Sequence, residues 1–122
     1  ILNKEEKINI YTAQMSKKTD KKEIDITIKS GVKVFAPTWT MVNQYKEGEI
    51  DKKEYSKLYR EKMRKSLRQN RRFWYDLLKY NKELVLKCYC PKNKFCHRKL
   101  LVKYLQKVGE EIGITVDYKG EL

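Results

Sequence analysis

The sequence predicts an α/β fold: a single domain over residues 1–122, built on a small mixed or parallel sheet of the Rossmann-like kind and flanked by helices, one of them long and basic. Three observations carry that expectation. Apolar residues alternate at period two near the start of the chain, in "INIYTAQ" and again at Ile24, Ile26 and Ile28. From Asp51 to Asn81 they recur at three- and four-residue spacing, the signature of a helix with one buried side. From Glu83 onward an apolar run, a loop, an amphipathic stretch and a last alternating run succeed one another, and a strand-helix-strand unit of this kind implies parallel pairing.

Each element has its own reason. Ile8 to Gln14 reads as the first strand, followed by the polar, turn-like "MSKKTDKK". Beyond Ile28, a Ser30-Gly31 turn signal precedes a second alternation through Val32, Val34 and Ala36, which predicts either a hairpin or a strand followed by a return. Pro37 cannot donate to a ladder and ends it, and Thr38 is placed to cap a short helix that stops at Gly48. Asp51 with Glu54 resembles a capping box. The stripe that follows, Tyr55, Leu58, Tyr59, Met63, Leu67, Trp74, Leu77 and Leu78, predicts one long helix or two in sequence. Arg60, Arg64 and Arg68 repeat on another face, which Arg71 and Arg72 extend. "ELVLKCYC" has the continuous apolar character of an interior strand covered on both sides. After Pro91 and a basic loop, "HRKLLVKYLQKVGEEIG" predicts a helix ended by Gly109 or Gly113, and "ITVDY" the last strand.

Size and charge bound the function. A chain of 122 residues can build a core without metal or disulfide support. With 29 Lys and Arg against 16 Asp and Glu the net charge is +13, more than solubility requires, so nucleic acid, nucleotides and acidic proteins lead as partners. The plain alternative is a surface merely coated with lysine. No run approaches the ~20 apolar residues of a membrane span, and the first residues lack a secretory signal. A cytoplasmic protein is expected, with no membrane partner and a monomeric or homodimeric state. There an odd set of three reduced cysteines argues for ligation or reactivity over stapling.

All three cysteines and the only histidine fall in "CYCPKNKFCHRKLL". Cys90 sits at a predicted strand end, while Cys96, His97 and Arg98 open the next helix, where free N–H groups and the helix dipole favour an anion. Arg98 would grip a phosphate or carboxylate, and Cys96 is the thiol expected to have a depressed pKa and to act as nucleophile or proton donor. His97 would be the general acid or base. Cys88, deeper in the strand, is as readily a core residue. Zinc held by Cys88, Cys90, Cys96 and His97 is the one cofactor these residues allow. The spacing disfavours it, because adjacent Cys96 and His97 rarely turn toward one ion, so no cofactor is expected. The seven residues between Cys90 and Arg98 exceed the five of a phosphatase loop, and scattered Asp25, Asp51 and Asp76 make no two-metal centre.

The pattern "LVLKCYCPKNKFCHRKLLVKYL" resembles the family catalogued as domain of unknown function 488, most of all its small phage and prophage versions. "FAPTW" and the tyrosine- and arginine-rich helix after it extend the likeness from about Ile8 to Gly113, although lysine is denser here than the family would suggest. The resemblance implies an α/β sheet with a pocket at Cys90, Cys96, His97 and Arg98, in a phage-encoded protein of the bacterial cytoplasm. It implies no established activity. It also draws attention to Thr38 and Trp39 at a second strand-to-helix junction, where Trp39 either stacks a base or packs its helix on the sheet. Tyr11 and Thr12, ending the first strand, either line the pocket or cap it.

The expected function is binding, with or without processing, of a phosphate-bearing nucleotide or nucleic-acid ligand at this pocket. Two alternatives stand beside it. One is a non-enzymatic counter-defence binder that sequesters a signalling nucleotide or a host protein. The other is a DNA- or RNA-binding protein using the basic helix face, Arg68 and Arg72 included.

Overall fold

Alternation near the start of the first strand sorts side chains as a half-buried strand requires: Ile8 and Ile10 are buried, and Asn9 and Tyr11, alternating with them, are partly exposed. The computed structural model describes residues 6–90 and 95–122, so the expected basic loop at 91–94 lies outside the described residues. Strands β1 (Lys7–Gln14), β2 (Glu23–Asp25), β3 (Glu83–Cys88) and β4 (Thr115–Glu121) form one sheet in the order β2-β3-β1-β4, with every neighbouring pair parallel. Helices α1 (Trp39–Lys46), α2 (Lys52–Gln69) and α3 (Arg71–Lys79) connect β2 to β3, and α4 (His97–Ile112) connects β3 to β4.

Both helical crossovers step across the sheet in the same direction, so the right-handed rule for parallel connections puts their helices on one face. In keeping with this, α4 packs against both α2 and α3. The core lies between the layers: Ile8, Ile10, Leu84, Leu86 and Cys88 from the sheet meet Tyr59, Met63, Trp74, Leu101 and Leu105 from the helices. Trp74 is anchored at both ends, edge-on to Phe35 at 4.9 Å and donating to Ser66 Oγ at 3.3 Å.

β3 is buried on both sides, as its apolar run implies, but its second side is covered by an irregular segment. The connection from β1 to β2 carries that cover. Lys87, on the helix-free face, donates to the Lys17 carbonyl and pairs with Glu23 at 3.3 Å, while Lys21 lies over the Tyr11 ring at 5.2 Å. A buried lysine is tolerated here because both its charge and its donors are met.

Of the two alternatives beyond Ile28, the hairpin is not formed: the Val32 and Lys33 carbonyls accept from the Phe35 and Ala36 N–H groups in turns, and the next three carbonyls are claimed by α2. Ser66 Oγ donates to Val34 O at 2.7 Å, Tyr59 OH to Phe35 O at 2.8 Å, and Lys62 Nζ to Ala36 O. Positions 59, 62 and 66 share one helix face, so a single side of α2 satisfies three successive backbone acceptors that a strand partner would otherwise take. Of the two alternatives for the stretch after Asp51, two helices in sequence are formed. Asn70, at φ −130°, leaves helical geometry, and both its backbone N–H and its Nδ2 bond the Ser66 carbonyl. Gly113, at φ 78°, ends α4 where left-handed backbone suits glycine. Among the described residues, no helix is long and apolar enough to cross a membrane.

Candidate functional site

Because β2 and β3 are parallel neighbours, both of their exits into helices open on the same edge of the sheet. There a cleft of about 380 Å³ is lined by Trp39, Val42 and Tyr45 of α1, Tyr55 of α2, Phe95, and the three cysteines with His97. Its loop wall, Thr27 to Lys29, is shaped by Asp25, whose Oδ1 accepts from the Thr27 N–H and hydroxyl and whose Oδ2 accepts from Ser30. Burial works to raise the Asp25 carboxyl, but the Ser30 and Thr27 donors outweigh it and hold the group below its usual range. Gly31 closes this turn so tightly that a Cβ there would stand 2.4 Å from the Asp25 carbonyl oxygen.

The cleft floor is made of sulfur. The sulfurs of Cys88, Cys90 and Cys96 all lie within 4.8 Å of one another, with Cys88 and Cys96 at 2.7 Å. Arg98 Nη1 donates to Cys88 Sγ at 2.8 Å and to the Cys90 carbonyl at 3.1 Å. The Cys90 and Cys96 thiols and then Arg98 donate to Cys88, which lowers its pKa and makes it the thiolate of the group. Its neighbours move the other way: hydrogen bonding to Cys88 and burial keep Cys96 and Cys90 protonated. Arg98 is thus the cation in contact with the sulfur whose pKa is lowered.

Two sequence expectations are corrected by this arrangement. The depressed pKa belongs to Cys88 and not to Cys96, because Cys96 Sγ faces the sulfur that Arg98 has already stabilised. Arg98 is not an outward anion grip: it is fully buried, with Nε and Nη2 on the two carboxylate oxygens of Glu121 at 3.1 and 2.9 Å. Burial opposes a charge at Arg98, but Glu121 and Cys88 more than compensate.

His97 is buried too. Its Nε2 donates to the Ile26 carbonyl at 2.7 Å, which leaves Nδ1 facing Cys96 Sγ at 3.6 Å. Burial lowers its pKa, and with Nε2 on the Ile26 carbonyl the proton acceptor of the ring is Nδ1. Its edge-on contact with Tyr59, at 5.3 Å, helps to fix the plane. The three thiols together suit a soft cation, and His97 lies outside their group with its Nε2 on the Ile26 carbonyl.

Trp39 and Cys90 line the cleft as expected, Trp39 being 54% exposed and so open to a ligand. Thr38 serves as the α1 cap, accepting from Met41 N at 3.1 Å. Thr12 is buried and bonded to Tyr118 OH at 2.5 Å, away from the cleft. Arg68 and Arg72 lie exposed on α2 and α3, outside it. Sequence reading missed Tyr45, Tyr55 and Phe95. They pack on one another, with centroids 5.4 to 5.5 Å apart, and form an aromatic wall. Tyr55 belonged to a stripe indistinguishable from core, and Phe95 stood alone in a loop.

A family model described as the active DUF488-N3 subclade matches residues 2–109. No curated protein and no solved structure matches the chain. The model spans the sheet's first three strands, the aromatic wall and the sulfur floor together, and the chain is accordingly a member of the DUF488 family.

Proposed function

We propose that the protein binds a nucleotide unit, free or at the end of a nucleic acid, in the strand-end cleft and processes it through Cys88. One observation carries this reading: the Cys88 sulfur, 2.8 Å from Arg98 Nη1, lies at the floor of a cleft whose walls are aromatic rings. Planar rings stack on such walls with little regard for sequence, and the exposed Lys29 and Lys46 at the rim suit a phosphate. A volume of about 380 Å³ is in the range of small-ligand sites.

In the processing step the Cys88 sulfur attacks an electrophilic carbon or phosphorus of the ligand. The new bond to sulfur forms as the bond to the leaving group breaks, and the leaving group takes the proton of the half-buried Cys90 thiol. Water then cleaves the adduct, giving its proton back to Cys90 and restoring the Cys88 thiolate. Arg98 contributes electrostatically, by favouring the Cys88 thiolate before the attack and again as it departs from the adduct. Cytoplasm is the compartment that keeps these thiols reduced.

Native mass spectrometry of protein purified from cells tests the binding. The wild type should carry a nucleotide or oligonucleotide, and Trp39→Ala should carry much less. Equal, empty spectra together with indistinguishable affinities of the two proteins for nucleoside monophosphates would refute the reading. A Cys88→Ser variant that keeps affinity, alongside a wild type with no turnover of the ligand it carries, would leave a sequestering binder. A phage counter-defence protein acting on a signalling nucleotide would have that form.

A further inference from the structure

The positive charge is not evenly spread. Helices α2, α3 and α4 contain fifteen Lys and Arg against five Asp and Glu, so three helices hold ten of the thirteen net charges of the chain. Between α2 and α4 runs a groove lined by Arg60, Met63, Arg64, Tyr104 and Lys107, with Glu111 the one carboxylate in its lining. Among the described residues no carboxylate pairs with Arg60, Arg64 or Lys107, in contrast to Arg72, which meets Asp76 at 3.5 Å. Arg60 and Arg64 are exposed and bracket Tyr104, whose pKa burial raises and the two arginines pull back.

The groove and the cleft are built on the same two helices: α2 gives Tyr55 to the cleft and Arg60 to the groove, about 8 Å apart along its axis, and α4 gives His97 to the cleft and Tyr104 to the groove. Lys52 bridges toward the cleft, its Nζ 6.0 Å from the Phe95 ring centroid. Arginines at 60, 64 and 68 recur about every 6 Å along the helix, the scale of the backbone repeat of an extended single strand.

We propose that the ligand is a single-stranded nucleic acid: one terminal base enters the aromatic cleft, and the phosphates behind it run down the α2/α4 groove on Arg60, Arg64 and Lys107. This rests on the cleft reading above. A duplex is too broad for a cleft that takes one ring. Planar guanidiniums beside a tyrosine ring suit phosphates interleaved with bases better than the flexible carboxylates of an acidic peptide.

The test measures anisotropy of a fluorescent oligothymidylate of about 15 nucleotides against a salt series, with a nucleoside monophosphate titrated separately. The variant is Arg60→Ala/Arg64→Ala/Lys107→Ala, all at surface positions, with circular dichroism confirming its fold. Oligothymidylate affinity should fall by about tenfold or more, and the slope of log affinity on log salt should drop by about 2, while monophosphate binding stays as in the wild type. An unchanged slope and affinity in the variant, or equal competition by polyglutamate, overturns the proposal. If the wild type binds monophosphate but no oligothymidylate, the groove fails and the cleft reading survives. Arginine-dependent oligothymidylate binding that is unaffected by Trp39→Ala supports the phosphate track and removes the cleft from it.

Discussion

Arg98 in the floor of the cleft and Arg60 and Arg64 in the helical groove carry the same group into opposite surroundings. Arg98 has no exposed surface and spends its donors on Glu121, Cys88 and the Cys90 carbonyl. Arg60 and Arg64 stand in water with no carboxylate partner among the described residues. A buried charge has to be paired, so its role is fixed by the fold; an exposed one is free to serve whatever arrives. The contrast explains why a residue that looks in sequence like an anion receptor instead sets the ionisation of a sulfur.

The sharpest way to break this contrast is to remove the buried partner. Arg98→Ala leaves the Glu121 carboxylate and the Cys88 thiolate without a counterion, and should cost about 3 to 5 kcal/mol, read as a fall in Tm on the order of 10 °C or more. Arg98→Met combined with Glu121→Leu should recover much of that, since an apolar pair needs no compensation. Alanine at Arg60 or Arg64 should leave Tm within the error of the measurement. An Arg98→Ala protein as stable as the wild type would mean that Glu121 and Cys88 do not depend on it.

Thiol chemistry gives the next largest effect. Iodoacetamide at pH 6 should modify Cys88 before Cys96, at a rate set by access through the cleft, and Cys88→Ser should abolish that first reaction, whereas Cys96→Ser should not. The pH dependence of stability separates the sulfurs further. Cys88 is depressed in the folded state, so its contribution is present above the unfolded thiol value of about 8.5 and is lost as pH falls toward its folded value. Cys96 is raised, so its contribution is present below about 8.5 and is lost as pH climbs above it. Urea titrations across pH should therefore show Cys88→Ser flattening the acid side and Cys96→Ser the alkaline side. Equal effects of the two substitutions on both sides would contradict the assignment of the charge to Cys88.

Smaller effects test the cleft walls. Trp39→Ala should weaken nucleotide binding by about 1 to 3 kcal/mol, the worth of one stacked base, with little change in stability because the ring is half exposed. Tyr59→Phe removes the donor to the Phe35 carbonyl and should cost about 1 kcal/mol, seen as a lower urea midpoint. No change in midpoint would mean that α2 does not hold the segment before α1 in place of a strand.

Much of this architecture was legible because it is local. The alternation in β1, the Asp51 cap, the α2 stripe and the Gly113 stop depend on residues within a few positions of one another, and β1, α2 and the end of α4 lie where those signals put them. The clustering of Cys90, Cys96 and His97 at a strand end beside Trp39 was legible for the same reason, since parallel neighbours open their exits on one edge. Tertiary structure alone decided the rest. That the segment from Val34 to Ala36 gives its carbonyls to α2, that Arg98 turns inward to Glu121 at the end of the last strand, and that Cys88 and not Cys96 carries the charge all depend on partners 10 to 32 positions away. Spacing fixes which face a side chain leaves from; only packing fixes what it meets, and ionisation is set by what it meets.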